Sequence, residues 1–244
     1  MKNTPSLRLF SRLGLGLVSL GACNATYAPP VRSTHLRAPG RLAPGQGEIA
    51  ATVGAPNGRG ALGGGIPVTE ALSVEAQFDT SDAWHVGNVG LRATHRSPDR
   101  VLSVDGEFGG GGGVGGQRCG NVGTDGDPCP GGAPDGRSAQ ERLAYGGFVG
   151  LGVGVRPVRW MALFARSRAQ LTTANNVPNT LWISGLAGAE FLLGPVVVGA
   201  GAGYAHYSND TESRGDLIVE LGASVPFNVW GPQGRRAPLP PPAE

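Results

Sequence analysis

The stretch Leu72-Ser73-Val74-Glu75-Ala76-Gln77-Phe78-Asp79 decides the fold class, because it alternates strictly between apolar and polar side chains. Successive side chains of a β-strand point to opposite faces, so a strand with this sequence has one apolar face and one polar face. The same alternation recurs over 101–108 and 161–171, and helical spacing fits none of these stretches. The pattern therefore predicts an all-β domain made of two-faced strands.

Extended along the chain, the alternation predicts ten antiparallel strands, with eight as the alternative count. The predicted strands span 47–54, 61–68, 72–80, 85–95, 101–112, 141–156, 160–172, 181–192, 196–207 and 216–229. The connections alternate in length. Short turns are predicted at 69–71, 96–100, 157–159 and 193–195, whereas most other connections are longer and rich in Gly, Asn or Asp.

This organisation resembles the superfamily of small bacterial outer-membrane β-barrels over residues 46–230. Transmembrane up-and-down barrels of this kind have short turns on the periplasmic side and long loops on the extracellular side. The last predicted strand ends in aromatic residues, as do the terminal strands that the barrel-assembly machinery recognises, although here a tail follows Trp230. The alternation alone is also compatible with a soluble periplasmic β-sandwich, whose apolar faces contact each other.

Residues 1–22 have the organisation of a secretory signal peptide. Lys2, Arg8 and Arg12 precede an apolar run over 13–20 that is too short to span a bilayer as a helix. The signal ends in Leu20-Gly21-Ala22-Cys23, which resembles the lipobox of bacterial lipoproteins. The resemblance implies processing by the lipoprotein machinery, with lipid attached to the cysteine that becomes the new N-terminus.

The alternative is an ordinary signal cleaved after Ala25, which would discard Cys23. Asn24 favours delivery to the outer membrane over retention at the inner membrane. Residues 23–45 are rich in Pro, Arg and small residues, and we interpret them as a flexible tether; residues 231–244 form a proline-rich tail. An even number of strands places both chain ends on one side, so the lipid anchor is expected on the periplasmic side.

The composition excludes several classes of protein. The formal net charge is +2 and the basic residues are scattered, so the chain has no electrostatic footprint for nucleic acid. The 43 glycines and 20 prolines follow no Gly-X-Y period, and 40% of the residues are hydrophobic. A collagen-like chain and a wholly disordered chain are therefore both excluded.

The chain has three cysteines, so lipidation of Cys23 would leave Cys119 and Cys129 as a pair. Both lie in the longest predicted loop, and a disulfide between them would close an extracellular loop in an oxidising compartment. Asp125 and Asp127 lie between the two cysteines. Because the glutamate that completes an EF-hand loop is missing, we interpret them as an acidic turn and predict no metal or other cofactor.

Charged side chains on the polar faces of the strands are the candidate functional residues. If the apolar faces contact lipid, these side chains point into the lumen, where arginines and carboxylates are expected to pair. The predicted lumen-facing residues are Glu48, Glu75, Gln77, Arg92, Asp105, Glu107, Arg166, Arg168, Glu190 and Glu220. They support either a polar pore or a plugged lumen whose ion pairs replace an apolar core, and the narrowness of the barrel favours the plugged lumen.

Glycines are also placed regularly on the predicted lumen face. They occur at 146, 150, 152 and 154 of one strand and at 199, 201 and 203 of another. Because glycine has a poor strand propensity, this placement predicts that the glycines leave room for bulky neighbours such as Phe148, Phe164 and Trp182.

No catalytic site is predicted. His85 and His206 lie near the extracellular rim, where ten-stranded omptin proteases carry Asp and His residues, but parity places His206 on the lipid face. No set of nucleophile, base and oxyanion donors can be assembled. His35 is assigned to the tether.

The resulting prediction is a non-enzymatic outer-membrane lipoprotein with a structural or surface-binding role. Its predicted partners are outer-membrane lipid and the barrel-assembly and lipoprotein-processing machineries, while its binding partner in the envelope is not specified. The alternatives are a narrow porin-like channel and the soluble β-sandwich lipoprotein.

Overall fold

The computed structural model describes residues 28–40, 42, 45–55, 59–81, 84–116, 141–175, 177–210 and 213–229. Within them the chain forms ten strands, each hydrogen-bonded antiparallel to its neighbours. The strands are β1 (Gln46–Ala55), β2 (Arg59–Pro67), β3 (Leu72–Thr80), β4 (Trp84–Arg96), β5 (Leu102–Gly116), β6 (Glu141–Val158), β7 (Met161–Ala174), β8 (Val177–Leu193), β9 (Val196–Ser208) and β10 (Ser213–Asn228). No helix in the described ranges is long and apolar enough to cross a membrane.

The sheet closes on itself, because β1 pairs with β10 from Gln46 opposite Asn228 to Ala55 opposite Val219. A closed sheet has no edge strands. The ten-stranded up-and-down barrel predicted from the alternation is therefore confirmed. The β-sandwich alternative is wrong, since it requires two separate sheets.

The two ends of the barrel differ in their connections. The turn end carries the connections after β2, β4, β6 and β8, at 68–71, 97–101, 159–160 and 194–195. The loop end carries those after β1, β3, β5, β7 and β9, at 56–58, 81–83, 117–140, 175–176 and 209–212. The first residue of β1 and the last residue of β10 lie at the turn end. The long β5–β6 connection accounts for most of the contrast in length, and Cys119 and Cys129 within it lie outside the described residues, as does Cys23.

The start of β8 lies outside the predicted range. It begins at Val177, so only two residues separate it from β7. Pro178 and Asn179 favour turns, yet they belong to the strand, and the β7–β8 register shifts opposite them between Thr172 and Ala174. A bulge is one of the few positions in a sheet that tolerates proline, which has no N–H to donate.

The outer surface of the barrel is apolar around its whole circumference. Every strand contributes at least one large apolar side chain that is 46% or more exposed: Ile49, Leu62, Phe78, Val89, Phe108, Leu151, Leu163, Ile183, Tyr204 and Leu217. The alternate residues of the same strands point inward, where polar side chains and glycines predominate. The barrel therefore has the two unlike faces that the period-two pattern requires.

Residues 28–40, which we call the lumen segment, run through the interior from one end of the barrel to the other. Ala28 donates its backbone N–H to Thr180 Oγ1 near the loop end (3.1 Å), and Pro39 accepts a hydrogen bond from Ser103 Oγ near the turn end (2.7 Å). Ala28 and Val31 are completely buried. The interpretation of 23–45 as a flexible tether is therefore wrong for residues 28–40.

The tether interpretation was wrong because it rested on the inability of the segment to form a core of its own. The segment has prolines, small residues and no periodicity, so it cannot form such a core. Inside the barrel the segment needs none, because polar groups of the wall bind its backbone and its charged side chains. In the described residues, the hydrogen bonds between the segment and the wall use a side chain on at least one side, so the segment is not an eleventh strand.

Candidate functional site

The lumen is the candidate functional site, because nearly all buried charge of the barrel is collected there. The structure places all the predicted charged residues on the inner wall, each 5% exposed or less: Glu48, Glu75, Arg92, Asp105, Glu107, Arg166, Arg168, Glu190 and Glu220. Such burial is costly for a charge unless it is paired and hydrogen-bonded. The pattern of pairing therefore determines what the lumen can do.

Five of these charges, which we call the wall cluster, pair with one another across β4, β5 and β7. Arg92 lies 3.2 Å from Asp105 and 3.0 Å from Glu107. Arg166 binds Asp105 closely and lies 3.4 Å from Glu107, and Arg168 lies 2.6 Å from Glu107. Three arginines thus surround two carboxylates, and this arrangement does not need the lumen segment for its main contacts.

The lumen segment supplies two further arginines. Arg32 reaches Glu75 at 2.7 Å and Glu107 at 3.7 Å. Arg37 binds Glu48 at 2.7 Å and also contacts Glu75 directly. Since Arg92 lies 2.7 Å from Glu75 as well, that carboxylate joins the wall cluster to the segment.

His35 occupies the opposite side of the lumen, facing β8 and β10. Its Nδ1 lies 3.2 Å from Glu220 and its Nε2 lies 2.7 Å from Ser184 Oγ. The backbone N–H groups of His35 and Leu36 both donate to Glu220 Oε2, at 2.8 and 2.9 Å. Glu220 is thus satisfied by the segment rather than by an arginine.

The backbone of the segment is held at close intervals along its length. Gln170 accepts a hydrogen bond from the Arg32 N–H and donates one to its carbonyl, at 3.0 and 2.8 Å. Asn88 donates to the Val31 carbonyl, Arg168 to the Thr34 carbonyl, and the Ala38 N–H donates to Glu190. These bonds satisfy backbone N–H and C=O groups of the segment that would otherwise need water as their partner.

Glycines of the wall provide the space for two apolar residues of the segment. A Cβ at Gly222 would lie 2.6 Å from Leu36 Cδ2, and one at Gly154 would lie 3.1 Å from Pro39 Cδ. The prediction that lumen glycines make room for bulky neighbours applies here to the segment as well as to wall aromatics. A Cβ at Gly188, for example, would meet Phe164 at 2.8 Å.

The buried charges of the wall do not balance one another. Among the residues whose side chains are described, the buried carboxyl groups of the strands belong to Glu48, Glu75, Asp79, Asp105, Glu107, Glu190 and Glu220, and the buried arginines of the strands are Arg92, Arg166 and Arg168. These strands therefore have four more buried carboxyl groups than buried arginines, and Arg32 and Arg37 of the segment offset half of this excess. The segment is therefore an electrostatic component of the lumen as well as a filler.

Among the described residues, a small cavity lies beside the segment. It has a volume of about 40 Å³, and its lining includes Arg32, Arg37, Glu75 and Arg166. This is room for one or two water molecules, for which the Nε atoms of Arg32 and Arg166, unpartnered among the described residues, are suitable donors. The cavity itself is too small to hold a larger solute.

Sequence patterns missed Arg32, His35 and Arg37 as lumen residues, because those residues precede the first strand. One signal was present: the predicted lumen faces carried more carboxylates than arginines, and an arginine-containing segment preceded them. Unbalanced buried charge requires a counter-charge from elsewhere in the chain.

The two histidines near the loop end do not join the lumen site. His85 contacts Thr80 and stacks on Phe78 on the outer side, and His206 hydrogen-bonds to Ser213. Tyr207, which follows His206 in β9, is buried in the lumen, with its ring centroid 5.0 Å from that of Trp182.

No protein-family model matches the sequence, and no curated protein sequence matches it. The chain is similar to several solved structures. The N-terminal β-barrel domain of Pseudomonas aeruginosa OprF is 10% identical, with 76% of this chain and 100% of that chain covered and a TM-score of 0.34. The KdgM porin is 8% identical (74% and 99% covered, TM-score 0.35), and Omp33 of Acinetobacter baumannii is 9% identical (75% and 99% covered, TM-score 0.32).

Proposed function

We propose that this chain is an outer-membrane β-barrel protein whose lumen is closed by its own N-terminal segment, with a structural or surface-binding role in the envelope and no enzymatic activity. The observation that carries the proposal is the occupancy of the lumen by residues 28–40. The charged groups that could serve a transported solute or a substrate are engaged in ion pairs and hydrogen bonds within the protein. We assign partner binding to the loop end, which carries the longest connection of the barrel.

Insertion into a membrane is supported by the outer surface. Soluble monomers rarely expose large continuous apolar patches, whereas this barrel exposes apolar side chains on all ten strands. A lipid-facing apolar band around a polar interior is the arrangement of transmembrane β-barrels. By the same analogy, the loop end faces the outside of the cell and the turn end faces the periplasm.

Val89→Arg tests this insertion. Val89 lies in the middle of β4 and is 57% exposed on the outer face. An arginine at the bilayer midplane costs a barrel about 2–4 kcal/mol, but nearly nothing at the interface. We expect Val89→Arg to reduce assembly, seen as loss of the difference between boiled and unboiled protein on a detergent gel.

The matched control is Leu193→Arg, at the last residue of β8 and 61% exposed, which should assemble normally. A spin label at position 89 should be accessible to oxygen and shielded from a water-soluble nickel chelate. Equal exposure of the label to both reagents would refute membrane insertion.

Lipidation at Cys23 and a Cys119–Cys129 disulfide are part of the same proposal, as is passage through the lipoprotein-processing and barrel-assembly machineries. The lipobox supports lipidation at Cys23, and the number of cysteines supports the disulfide. Cys23→Ala should abolish incorporation of labelled fatty acid and leave an unprocessed precursor. Normal labelling of this variant would remove the lipid anchor from the proposal but leave the barrel.

A second function, that of a gated channel, is favoured by the excess of carboxylates on the lumen wall. Removal of the lumen segment would leave a polar passage with net negative charge, which selects cations. The experiment is a deletion of residues 28–40, with conductance measured in planar bilayers under a salt gradient. The full chain should be closed, and the deletion variant should conduct with a reversal potential on the cation-selective side. A deletion variant that keeps its heat-modifiable fold and does not conduct would exclude the channel.

A further inference from the structure

The direction of the lumen segment determines where the upstream part of the chain leaves the barrel. Ala28 lies among residues near the loop end: its N–H donates to Thr180, and its carbonyl accepts from Trp182 Nε1 (2.9 Å) and Thr172 Oγ1 (3.3 Å). Thr172 is near the end of β7, and Thr180 and Trp182 are near the start of β8. All three belong to the part of the wall next to the β7–β8 connection.

The other end of the segment is equally well defined. Ser103, the second residue of β5, donates to the Pro39 carbonyl, and Arg96, the last residue of β4, donates to the carbonyls of Gly40 (3.4 Å) and Leu42 (2.7 Å). Both wall residues flank the β4–β5 turn. From there the chain enters β1 at the same end of the barrel. The segment therefore passes from the loop end to the turn end in the direction of increasing residue number.

Chain length then limits where Cys23 can lie. Four residues lie between it and Ala28, and the five Cα-to-Cα steps of a fully extended chain over that distance span about 17 Å. The apolar band of an outer-membrane barrel is about 25 Å tall. A cysteine connected to Ala28 through four residues therefore cannot reach the periplasmic leaflet while the segment occupies the lumen.

We propose that the mature N-terminus emerges at the loop end, so that the lipid on Cys23 is anchored in the leaflet next to the long β5–β6 loop. This inference rests on the proposed lipidation and on the proposed membrane insertion. It reverses the expectation, drawn from the even number of strands, that the anchor lies on the periplasmic side. The strand count fixes the side on which β1 begins, and the segment before β1 then crosses the barrel once more.

The experiment compares three epitope tags, each in the otherwise unchanged full chain. One tag follows Asn24, which leaves the lipobox intact; one lies in the 117–140 loop; and one follows Glu244. Antibody binding is measured on intact cells and on permeabilised cells. We expect the tags at 24 and in the loop to bind equally in both preparations, and the C-terminal tag to lose its signal in intact cells.

An N-terminal tag that shares the behaviour of the C-terminal tag, and not that of the loop tag, would overturn the inference. The loop tag also separates this failure from a failure of the proposed function. If the loop tag is hidden in intact cells, the proposed orientation in the membrane is wrong, and the comparison of the N-terminal tag with the loop tag still decides whether the two lie on one side.

A cross-link gives a second measurement that needs no antibody. In a background with Cys119→Ser and Cys129→Ser, the pair Ala28→Cys and Thr180→Cys should form a disulfide in cells. The control pair Ala28→Cys and Ser103→Cys joins the same segment residue to the opposite end of the lumen and should remain reduced. Oxidation of the control pair in place of the first would show that the segment runs the other way and would refute the inference.

Discussion

The buried carboxylates on the two sides of the lumen are paired in different ways. On the side formed by β4, β5 and β7, the wall cluster pairs three arginines with two carboxylates of the wall itself. On the side formed by β1, β8 and β10, Glu48 and Glu220 are bound by Arg37 and His35 of the lumen segment. One side is therefore held together by the barrel, and the other by a part of the chain that is not in the sheet.

This difference teaches that closing the sheet and closing the lumen are separable. Removing a charge from the wall cluster should lower the stability of the barrel. Removing a charge from the lumen segment should weaken only the binding of the segment in the lumen. Glu75, which contacts Arg92 as well as Arg32 and Arg37, is where the two systems meet.

The largest effect is expected for Arg92→Gln. Arg92 contacts Glu75, Asp105 and Glu107, and its loss leaves buried carboxylates short of a counter-charge. Breaking a buried ion pair in this way costs about 3–5 kcal/mol. We expect a large loss of folded barrel, measured by heat modifiability and by the urea concentration at the unfolding midpoint.

The control for Arg92→Gln is Arg214→Gln, which removes an arginine that is 66% exposed and 3.4 Å from Asp216. Exposed ion pairs contribute about 0–1 kcal/mol, so this variant should unfold at nearly the wild-type concentration. Similar midpoints for the two variants would show that the wall cluster does not stabilise the barrel.

A smaller and different effect is expected for Arg37→Gln. The barrel should persist, while the segment loses hydrogen-bonded contacts with two buried carboxylates that are worth about 1.5–3 kcal/mol. That corresponds to roughly a ten- to hundredfold rise in the population of the released segment. Hydrogen exchange at the N–H groups of His35, Leu36 and Ala38, which wall side chains protect, should accelerate by that factor.

The matched control is Arg166→Gln. Arg166 binds Asp105 and Glu107 of the wall, so this substitution should lower the stability of the barrel without selectively accelerating exchange in the segment. If both variants accelerate segment exchange equally, the separation of the two sides is wrong.

The smallest effect is expected for Gly154→Val, which changes shape and not charge. A Cβ at Gly154 would meet Pro39 at 3.1 Å and Ser103 Oγ at 3.2 Å, and the nearest contacts include no backbone of the wall. Overpacking of this kind costs about 1 kcal/mol at its lower limit. Exchange should accelerate only in the part of the segment near Pro39.

Gly87→Val serves as its control, because a Cβ at Gly87, which is exposed, would have no neighbour within 4 Å. Valine has a high strand propensity, so this variant should be at least as stable as the wild type. Faster exchange of the segment in Gly87→Val would show that the effect of Gly154→Val does not come from contact with Pro39.

The strands were predictable because each has an apolar outer face and a different inner face, so that apolar and polar residues alternate with period two. In β5, for example, Leu102, Val104 and Phe108 point outward, and Ser103, Asp105 and Glu107 point inward. The candidate site was predictable only as a set of inward charges. Their partners were not, because pairing depends on three-dimensional proximity across the barrel, which alternation along one strand does not contain.

The lumen segment carries no such signal. It has no strand period, and the groups that bind it, such as Glu220 and Gln170, are more than 130 residues away in the chain. Its location could be inferred only from a global quantity, the excess of carboxylates on the inner faces of the strands.

The seam between β1 and β10 has a consequence for the order of assembly. Because the first strand pairs with the last, the cylinder cannot be completed before the entire chain has been synthesised. By then residues 28–40, made before any strand, are already joined covalently to β1 through a few residues. Filling a cylinder that had already closed would require threading the part of the chain before β1 through the whole length of the lumen. If β1 and β10 pair while residues 28–40 already lie between the strands, no threading step is needed.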